Sequence, residues 1–143
     1  MDFENKMEIK FNAKSINESF ARVVVSAFVA QLNPTISEIT EVKTAVSEAV
    51  TNSIIHGYDN DESKEIILIC KIIGYEIEII IKDFGNGIEN IEKAREALYT
   101  TKPDMERSGM GFTIMEEFMD EIYIESELEK GTSITLKKIF RRS

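Results

Sequence analysis

Several residue types that define particular protein classes are scarce in this sequence. Its 143 residues include one cysteine, one histidine, two prolines and no tryptophan. A single cysteine excludes a disulfide framework, and cysteine and histidine together are too rare for a zinc site of ordinary spacing. Cys70 lies in an apolar, β-like run, so we expect it to be a small core residue in a reduced compartment such as the cytoplasm.

Positive charge and long apolar runs are also in short supply. Lysine and arginine number 17 against 26 aspartates and glutamates, which gives a net charge of -9. A nucleic-acid-binding protein needs a basic face, so direct binding to nucleic acid is not expected. No apolar run reaches the roughly 18 residues of a membrane helix, and the start MDFENKMEIKF does not resemble a signal peptide. We therefore expect no membrane association.

The composition that remains is that of one globular domain, 43% hydrophobic and 30% charged. Hydrophobic periodicity predicts helices and strands in mixed order, with a hairpin that turns at Gly74. The predicted helices cover residues 15–32, 35–55, 91–98 and 112–119, and the strands cover 7–11, 65–73, 75–82, 122–126 and 132–140. The expected fold class is α+β, an α/β sandwich whose mixed, mainly antiparallel sheet carries helices on one face.

The sequence also suggests how the first two helices begin, end and pack. The stretch SINE predicts Ser15 as an N-cap and Glu18 as its capping-box partner. Gly57 stands where a glycine C-cap of the second helix is expected. The apolar residues of the first helix could enter the core or pair two subunits, and the core is favoured for Phe20, Val23, Val24 and Phe28.

Glu48 and Asn52 form the first candidate constellation. They lie one turn apart on the second predicted helix and so share a face. A carboxylate and an amide in this arrangement could serve as a base and a metal ligand. A surface pair on an amphipathic helix is the commoner meaning of the spacing, and spacing alone favours that interpretation.

The second constellation is KDFGNGI, residues 82–88, directly after a strand of isoleucines. Asp-Phe-Gly is also a metal-binding triplet of the large protein kinases, but the glycine-rich loop, strand lysine and His-Arg-Asp that precede it there are missing. The meaningful pattern is Asp83-x-Gly85-x-Gly87. An aspartate at a strand end can accept hydrogen bonds from a ligand, and the glycines allow close approach and positive φ. Taken alone, a plain turn is favoured.

The third constellation is the polar stretch 99–111. It carries two cations suited to phosphate, Lys102 and Arg107, and it ends in Gly109-Met110-Gly111, which we expect to open a helix. Backbone N–H groups at a helix N-terminus bind phosphate, and a long structureless segment in a compact domain is often a lid. The three constellations in this order indicate a nucleotide site, with adenine at Asp83, a metal at Asn52 and phosphates under the lid.

The segments EAVTNSIIHGY, DFGNGI and SGMGFTIM resemble the N, G1 and G2 boxes of the GHKL ATPase/kinase superfamily, which includes gyrase, Hsp90, MutL and histidine-kinase catalytic domains. Over about residues 7–138 the chain closely resembles the sporulation anti-sigma-F factors, a family of small serine kinases within it. Phe84 departs from the glutamate expected inside the G1 box. The resemblance implies a Bergerat-type fold, with residues 1–143 as a single GHKL-type domain and an ATP lid at about 99–111.

The resemblance also implies roles for individual residues. Glu48 would be the general base, and Arg107 would sense the γ-phosphate. Asp83 would accept a hydrogen bond from the adenine amino group, and Asn52 would ligate Mg²⁺. Glu18 and Arg22 match a partner-docking surface. Contacts with ATP or ADP are implied for Asn52, Asp83, Gly85, Gly87, Thr101, Lys102, Ser108, Gly109, Gly111 and Thr132.

The function that the resemblance implies is that of a homodimeric anti-sigma factor. It would bind and inhibit the sporulation sigma factor F and, as an ATP-dependent, Mg²⁺-requiring serine kinase, phosphorylate its anti-anti-sigma protein. The alternatives are a stress-response switch kinase acting on another sigma factor, a nucleotide-gated binding module without kinase activity, and a free-standing ATPase of the gyrase or Hsp90 kind. The single histidine, His56, lies within the N box and is not expected to accept phosphate.

Overall fold

The structure, a computed structural model, describes residues 4–88 and 106–140, and it describes side chains for 4–88 and 112–140. The predicted helix 91–98 and lid residues 99–105 lie outside this range. No helix in the described range is long and apolar enough to cross a membrane. The helices are α1 Ser15–Val29, α2 Ile36–Asn52 and α3 Glu106–Phe118, and the strands are β1 Glu4–Asn12, β2 Glu65–Ile73, β3 Glu76–Asp83, β4 Glu121–Glu127 and β5 Gly131–Ile139.

The five strands form one sheet in the order β1-β2-β3-β5-β4. Each of the four described pairings is antiparallel, so the described sheet is antiparallel rather than mixed. The predicted hairpin is confirmed as β2–β3, and Gly74 supplies the positive φ of +61° in its turn. The β3–β5 register places Asp83 opposite Thr132. Two residues that are 49 positions apart in the sequence therefore meet at one end of the sheet.

One face of the sheet forms the core, and the helices cover it. Strand β3 shows why, because burial alternates along it and every second side chain points inward. Asp83 lies two residues after Ile81 in the alternating series Ile77, Ile79 and Ile81. Its side chain is therefore buried on the same inner face of the sheet. Cys70 is a buried core residue as predicted, and burial raises the pKa of its thiol to about 12. The α+β sandwich is confirmed.

Helix α2, not α1, begins with a capping box. Thr35 Oγ1 accepts a hydrogen bond from the Glu38 backbone N–H at 3.1 Å, and Glu38 Oε1 accepts from the Thr35 N–H at 2.8 Å. The box predicted at Ser15 is wrong: α1 has Lys14 as its N-cap and no side-chain cap. Glu18 instead lies 2.7 Å from Arg22 one turn later, so its carboxylate is turned along the helix and away from the N-cap.

Helix α1 packs through its small residues rather than its large ones. The core face consists of Ala21, Val25 and Val29, which recur every four residues. Phe20 is 51% exposed and Val23 is 65% exposed, so the expected core position is wrong for both. Val24 is half-buried, and half-buried Phe28 packs against the core. The helix therefore leaves an apolar stripe open on its outer side.

Candidate functional site

The site begins where α2 ends. Asn52 is the last residue of α2 and is buried, and Glu48 is half-buried one turn earlier, so the predicted pair does share a helix face. The chain then continues through a wider, π-helical turn, Ser53–Gly57, which the sequence did not predict. π turns inside helices often mark functional positions. Here the turn carries the chain to the end of β3.

Gly57 closes that turn against Asp83. A Cβ atom on Gly57 would lie 2.8 Å from Asp83 Oδ2, so a side chain there would collide with the carboxylate. The predicted role of Gly57 as a left-handed helix cap is wrong, because its φ is not positive. Glycine is needed at this position because the Asp83 carboxylate occupies the space that a side chain would fill.

Asp83 is the buried charged group of the site, with 4% of its surface exposed. Its Oδ1 accepts a hydrogen bond from the Gly85 N–H at 3.0 Å. Burial raises the pKa of the carboxyl group above its ordinary value, and the Ser53 hydroxyl and the N–H groups of Gly85 and Thr132 partly offset this rise. A buried carboxyl with a shifted pKa is a common mark of a binding site. Donors supplied by a ligand would favour its ionised form.

The glycines of the Asp83-x-Gly85-x-Gly87 motif pack against other parts of the backbone. A Cβ on Gly85 would overlap the Gly57 carbonyl. A Cβ on Gly87, whose φ is +76°, would overlap the Glu127 carbonyl, and one on Gly131, whose φ is +123°, would overlap the Asp83 carbonyl. The glycines therefore let three backbone segments meet around Asp83.

Thr132 completes this end of the sheet. It is buried opposite Asp83, and its Oγ1 lies 2.8 Å from the Ser126 hydroxyl on β4. Ser126 Oγ also accepts a hydrogen bond from the Ile88 N–H at 2.7 Å. Ser126 was not predicted from the sequence, and its only signal is its place in a strand that pairs with the strand of Thr132. The structure thus brings Asp83 and Thr132 together at one end of the sheet.

Tyr58 was also missed, although it lies in the segment EAVTNSIIHGY. Its phenolic oxygen accepts a hydrogen bond from the Phe84 N–H at 2.7 Å and donates to the Glu65 carbonyl at 2.6 Å. Burial is the largest cause that raises the pKa of this phenol. Tyr58 therefore joins the turn after α2 to the loop after β3. A tyrosine next to a predicted helix end was the available signal.

The described residues offer few ligands for a metal. Within residues 4–88 and 106–140, no group of three or more histidine, cysteine, aspartate and glutamate side chains could hold a metal ion. Mg²⁺ in nucleotide sites takes only one or two protein ligands and completes its shell with phosphates and water. A single buried amide oxygen, that of Asn52, fits such a site, with the Glu48 carboxylate one turn away.

The predicted lid is only partly within the described residues. Thr101 and Lys102 lie outside them. Helix α3 begins at Glu106, so the prediction that Gly109-Met110-Gly111 opens the helix is wrong by about one turn. Arg107, Ser108, Gly109 and Gly111 belong to the first two turns of α3, which packs against α2.

Residues 11–138 match the family model described as a histidine kinase-like ATPase domain. An anti-sigma F factor from Clostridium perfringens is 63% identical over 135 residues, which cover 94% of this chain and 96% of that protein. Anti-sigma F factors from Clostridium botulinum and Anoxybacillus flavithermus are 61% and 58% identical, and the matches cover 96% and 97% of this chain and 96% and 95% of those proteins. The chain belongs to the anti-sigma F factor family.

A solved structure supports the fold of this chain. The crystal structure of the RsbU and RsbW domains of Rv1364c from Mycobacterium tuberculosis matches with a TM-score of 0.69 at 18% identity. The match covers 96% of this chain and 32% of that one. This likeness of fold and the match to the family model together confirm the GHKL resemblance and the Bergerat-type sandwich. A histidine kinase-like ATPase domain implies that the protein binds a nucleotide.

Proposed function

We propose that this protein binds and inhibits a sporulation sigma factor F. As an ATP-dependent serine kinase, it also phosphorylates the corresponding anti-anti-sigma protein. The proposed nucleotide binding rests on the buried Asp83 carboxylate. This group lies at one end of the sheet, beside the end of α2 that bears Asn52. The membership in the anti-sigma F factor family carries the sigma-factor part.

Asp83 would select the adenine base. An ionised carboxylate accepts on both oxygens, and one of them already binds the Gly85 N–H. The other can accept from the exocyclic amino group of adenine. Thr132 would add a hydroxyl to the same contact region, and the Gly85–Gly87 backbone would form its wall. A hydrogen bond to a charged acceptor in a buried site contributes about 1.5–3 kcal/mol.

Glu48, Asn52 and Arg107 would carry the transfer of the phosphoryl group that ATP supplies. Phosphoryl transfer needs positioning and charge neutralisation more than covalent chemistry by the protein. Asn52 would hold Mg²⁺ through its amide oxygen. Glu48, one turn before it on the same face of α2, would accept the proton of the substrate serine hydroxyl. Arg107 would neutralise charge on the γ-phosphate.

We also propose how the domain, its lid and the dimer are organised. Residues 1–143 would act as one domain with a lid at about 99–111, and Thr101, Lys102, Ser108, Gly109 and Gly111 would bind the phosphates from the lid. We also propose that the protein is a cytoplasmic homodimer. A bound γ-phosphate that favours one lid position would then bias partner choice, and partner binding would reciprocally bias nucleotide affinity.

Arg107→Ala is expected to lower the preference for ATP over ADP by about tenfold, which is the loss of one charge-assisted contact. Only ATP carries the γ-phosphate that Arg107 would reach. Titration calorimetry with each nucleotide measures the two affinities. Lys10→Ala, which removes an exposed cation on β1, is the matched control and should change neither. Equal weakening of ATP and ADP would exclude this role for Arg107.

Glu18 and Arg22 would form the partner-docking surface on α1. Arg22 Nε lies 2.7 Å from Glu18 Oε2, and Arg22 Nη2 donates to Ser19 Oγ at 3.0 Å. The same helix exposes Phe20 and Val23, but on a different side from this pair. Arginine is enriched among the residues that dominate the binding energy of protein interfaces.

Arg22→Ala is expected to weaken binding to sigma factor F by tenfold or more, on the order of an interface hot spot. The same change should alter the unfolding free energy by no more than about 1 kcal/mol, because an ion pair between partly exposed side chains one helix turn apart contributes little. Immobilised sigma factor F and calorimetric unfolding measure the two effects, and Lys6→Ala, an exposed cation on β1, is the control. Unchanged binding would remove Arg22 from the interface. A wild-type protein that retains another sigma factor but not sigma factor F would contradict the proposed partner.

A further inference from the structure

Asn86 lies in the loop between Asp83 and Gly87 and forms hydrogen bonds through its N–H, its carbonyl and its side chain. Its backbone N–H donates to the Gly57 carbonyl at 2.7 Å, and its own carbonyl accepts from the Glu129 N–H at 2.7 Å. Its side-chain amide donates to Asp59 Oδ2 at 2.8 Å and to the His56 carbonyl at 3.3 Å. One residue therefore joins the turn after α2, the loop after β3 and the turn between β4 and β5.

Two of the residues that bond to Asn86 have unusual backbone conformations. Asp59 has a φ of 50° and Glu129 has a φ of 65°, and neither is a glycine. Such conformations persist only where the surrounding contacts hold them. Because Asn86 contacts Asp59 through its side chain and Glu129 through its carbonyl, it is placed to hold both turns in this form.

The position of the Asp83 carboxylate depends on the same contacts. Gly57 lies directly against that carboxylate, and its carbonyl is held by the Asn86 N–H. Gly85 in turn packs on the Gly57 carbonyl. If the turn 56–59 moved away from the loop, the wall on one side of Asp83 would move with it. The two hydrogen bonds of the Asn86 side chain oppose that movement, as does the hydrogen bond between Phe84 and Tyr58.

We propose that Asn86 is a positioning residue for base selection. Its side-chain amide holds the turn 56–59 against the loop 83–87, so that Asp83 presents its carboxylate to the adenine amino group in one fixed place. This inference rests on the proposed nucleotide site at Asp83. Asn86 acts through Asp83 and the backbone around it.

The test compares ATP with inosine triphosphate, which carries a carbonyl where adenine carries the amino group. Asn86→Ala is expected to weaken ATP binding about tenfold and to leave inosine triphosphate binding unchanged. The amino group of adenine can donate to the Asp83 carboxylate, whereas the carbonyl at the same position of inosine cannot. The ratio of the two affinities is the readout. A variant that is merely less stable loses affinity for both nucleotides and keeps the ratio. Circular dichroism and thermal unfolding of each variant show that the measurements are made on folded protein.

A charge swap isolates the Asn86–Asp59 hydrogen bond. Asn86→Asp alone faces two carboxylates toward each other at the 2.8 Å contact and should lower the ATP-to-inosine ratio as much as the alanine variant. The double change Asn86→Asp with Asp59→Asn reverses donor and acceptor and should restore most of the ratio. Asp59→Asn alone is the control, because asparagine accepts from the Asn86 amide and tolerates a positive φ.

The outcomes distinguish a failure of the proposed adenine site at Asp83 from a failure of the proposed role of Asn86. If the wild-type protein binds ATP no better than inosine triphosphate, the proposed adenine site at Asp83 fails, and the role of Asn86 fails with it. If the wild-type protein prefers ATP and Asn86→Ala keeps that preference, the nucleotide site stands and the inference about Asn86 is overturned. A swapped double variant that stays as poor as Asn86→Asp would also overturn it.

Discussion

Glu48→Gln is expected to slow phosphoryl transfer to the anti-anti-sigma protein by about 10²–10⁴-fold, the usual contribution of a general base. Glutamine keeps the size and hydrogen-bonding reach of glutamate but cannot take the serine proton. Glu48 lies on α2, while the proposed adenine contact is made by Asp83 at the end of β3, so affinity for MgATP should change little. Single-turnover transfer from labelled ATP and a separate binding titration measure the two quantities.

Glu41→Gln provides the matched control for that experiment. Glu41 lies two turns earlier on α2 and pairs with Lys138 at 3.3 Å, so its loss removes a carboxylate from the same helix without touching the site. Transfer by this variant should stay near the wild-type rate. Transfer by Glu48→Gln at the wild-type rate would exclude Glu48 as the base. Loss of both transfer and ATP binding would assign Glu48 to binding instead.

Asp83→Asn is expected to weaken ATP binding by about 100-fold, because it loses a hydrogen bond to a charged acceptor and leaves a buried donor unpaired. The Gly85 N–H already takes one carboxylate oxygen. An asparagine has only one acceptor oxygen, so it can serve either Gly85 or the adenine amino group but not both. Its NH₂ group would then face another donor. Calorimetric titration with ATP measures the loss.

The same substitution is expected to stabilise the nucleotide-free protein at neutral pH. Burial raises the pKa of Asp83 in the folded state above its ordinary value, so the folded protein binds a proton more tightly than the unfolded chain. Stability from this group is therefore highest below the unfolded pKa and falls as pH rises through the folded pKa. Asp83→Asn removes that dependence and should raise the unfolding midpoint at pH 7 relative to the wild type.

Asp61→Asn is the control for the Asp83 variant. Asp61 is exposed and accepts from the backbone and side chain of Ser63, so its change should not alter ATP affinity. Thermal unfolding of both variants from pH 4 to pH 8 tests the stability claim. If Asp83→Asn binds ATP as tightly as the wild type, the adenine site has been placed wrongly. If it is less stable at neutral pH, the buried charge stabilises the fold rather than serving a ligand.

The sheet and part of the site were predictable because their signals are local and periodic. Alternation along β3 predicted a strand that ends near Asp83, and the strand that carries Thr132 was predicted as well. Asp83 was predicted from its motif and Thr132 from the family resemblance, and the β3–β5 register then placed them opposite each other. A buried position for Asp83 follows from the same two-residue period.

The ends and faces of the helices were harder to predict because two equivalent patterns competed. SINE and TISE both fit a capping box, and only the second forms one, because Glu18 is turned toward Arg22. Helix α1 carries two apolar stripes. The stripe of small residues faces the core, where helix and sheet approach closely, and larger residues such as Phe20 stay outside.

The contacts that surround Asp83 were missed because they join distant parts of the chain. The hydrogen bond between Tyr58 and Phe84 spans 26 residues, and that between Asn86 and Asp59 spans 27. The π-helical turn that brings Gly57 against the Asp83 carboxylate leaves no periodic pattern of apolar residues in the sequence. Such contacts become visible only when the strand order is known.

Transfer of phosphate is the most direct test of the central claim. The wild-type protein is incubated with Mg²⁺, ATP labelled at the γ-phosphate and the anti-anti-sigma protein of the same organism, with Glu48→Gln in parallel. The account predicts label on a serine of the anti-anti-sigma protein with the wild type and almost none with the variant. Tight binding of MgATP without any labelled partner would contradict the kinase proposal and would leave a nucleotide-gated sigma-binding protein.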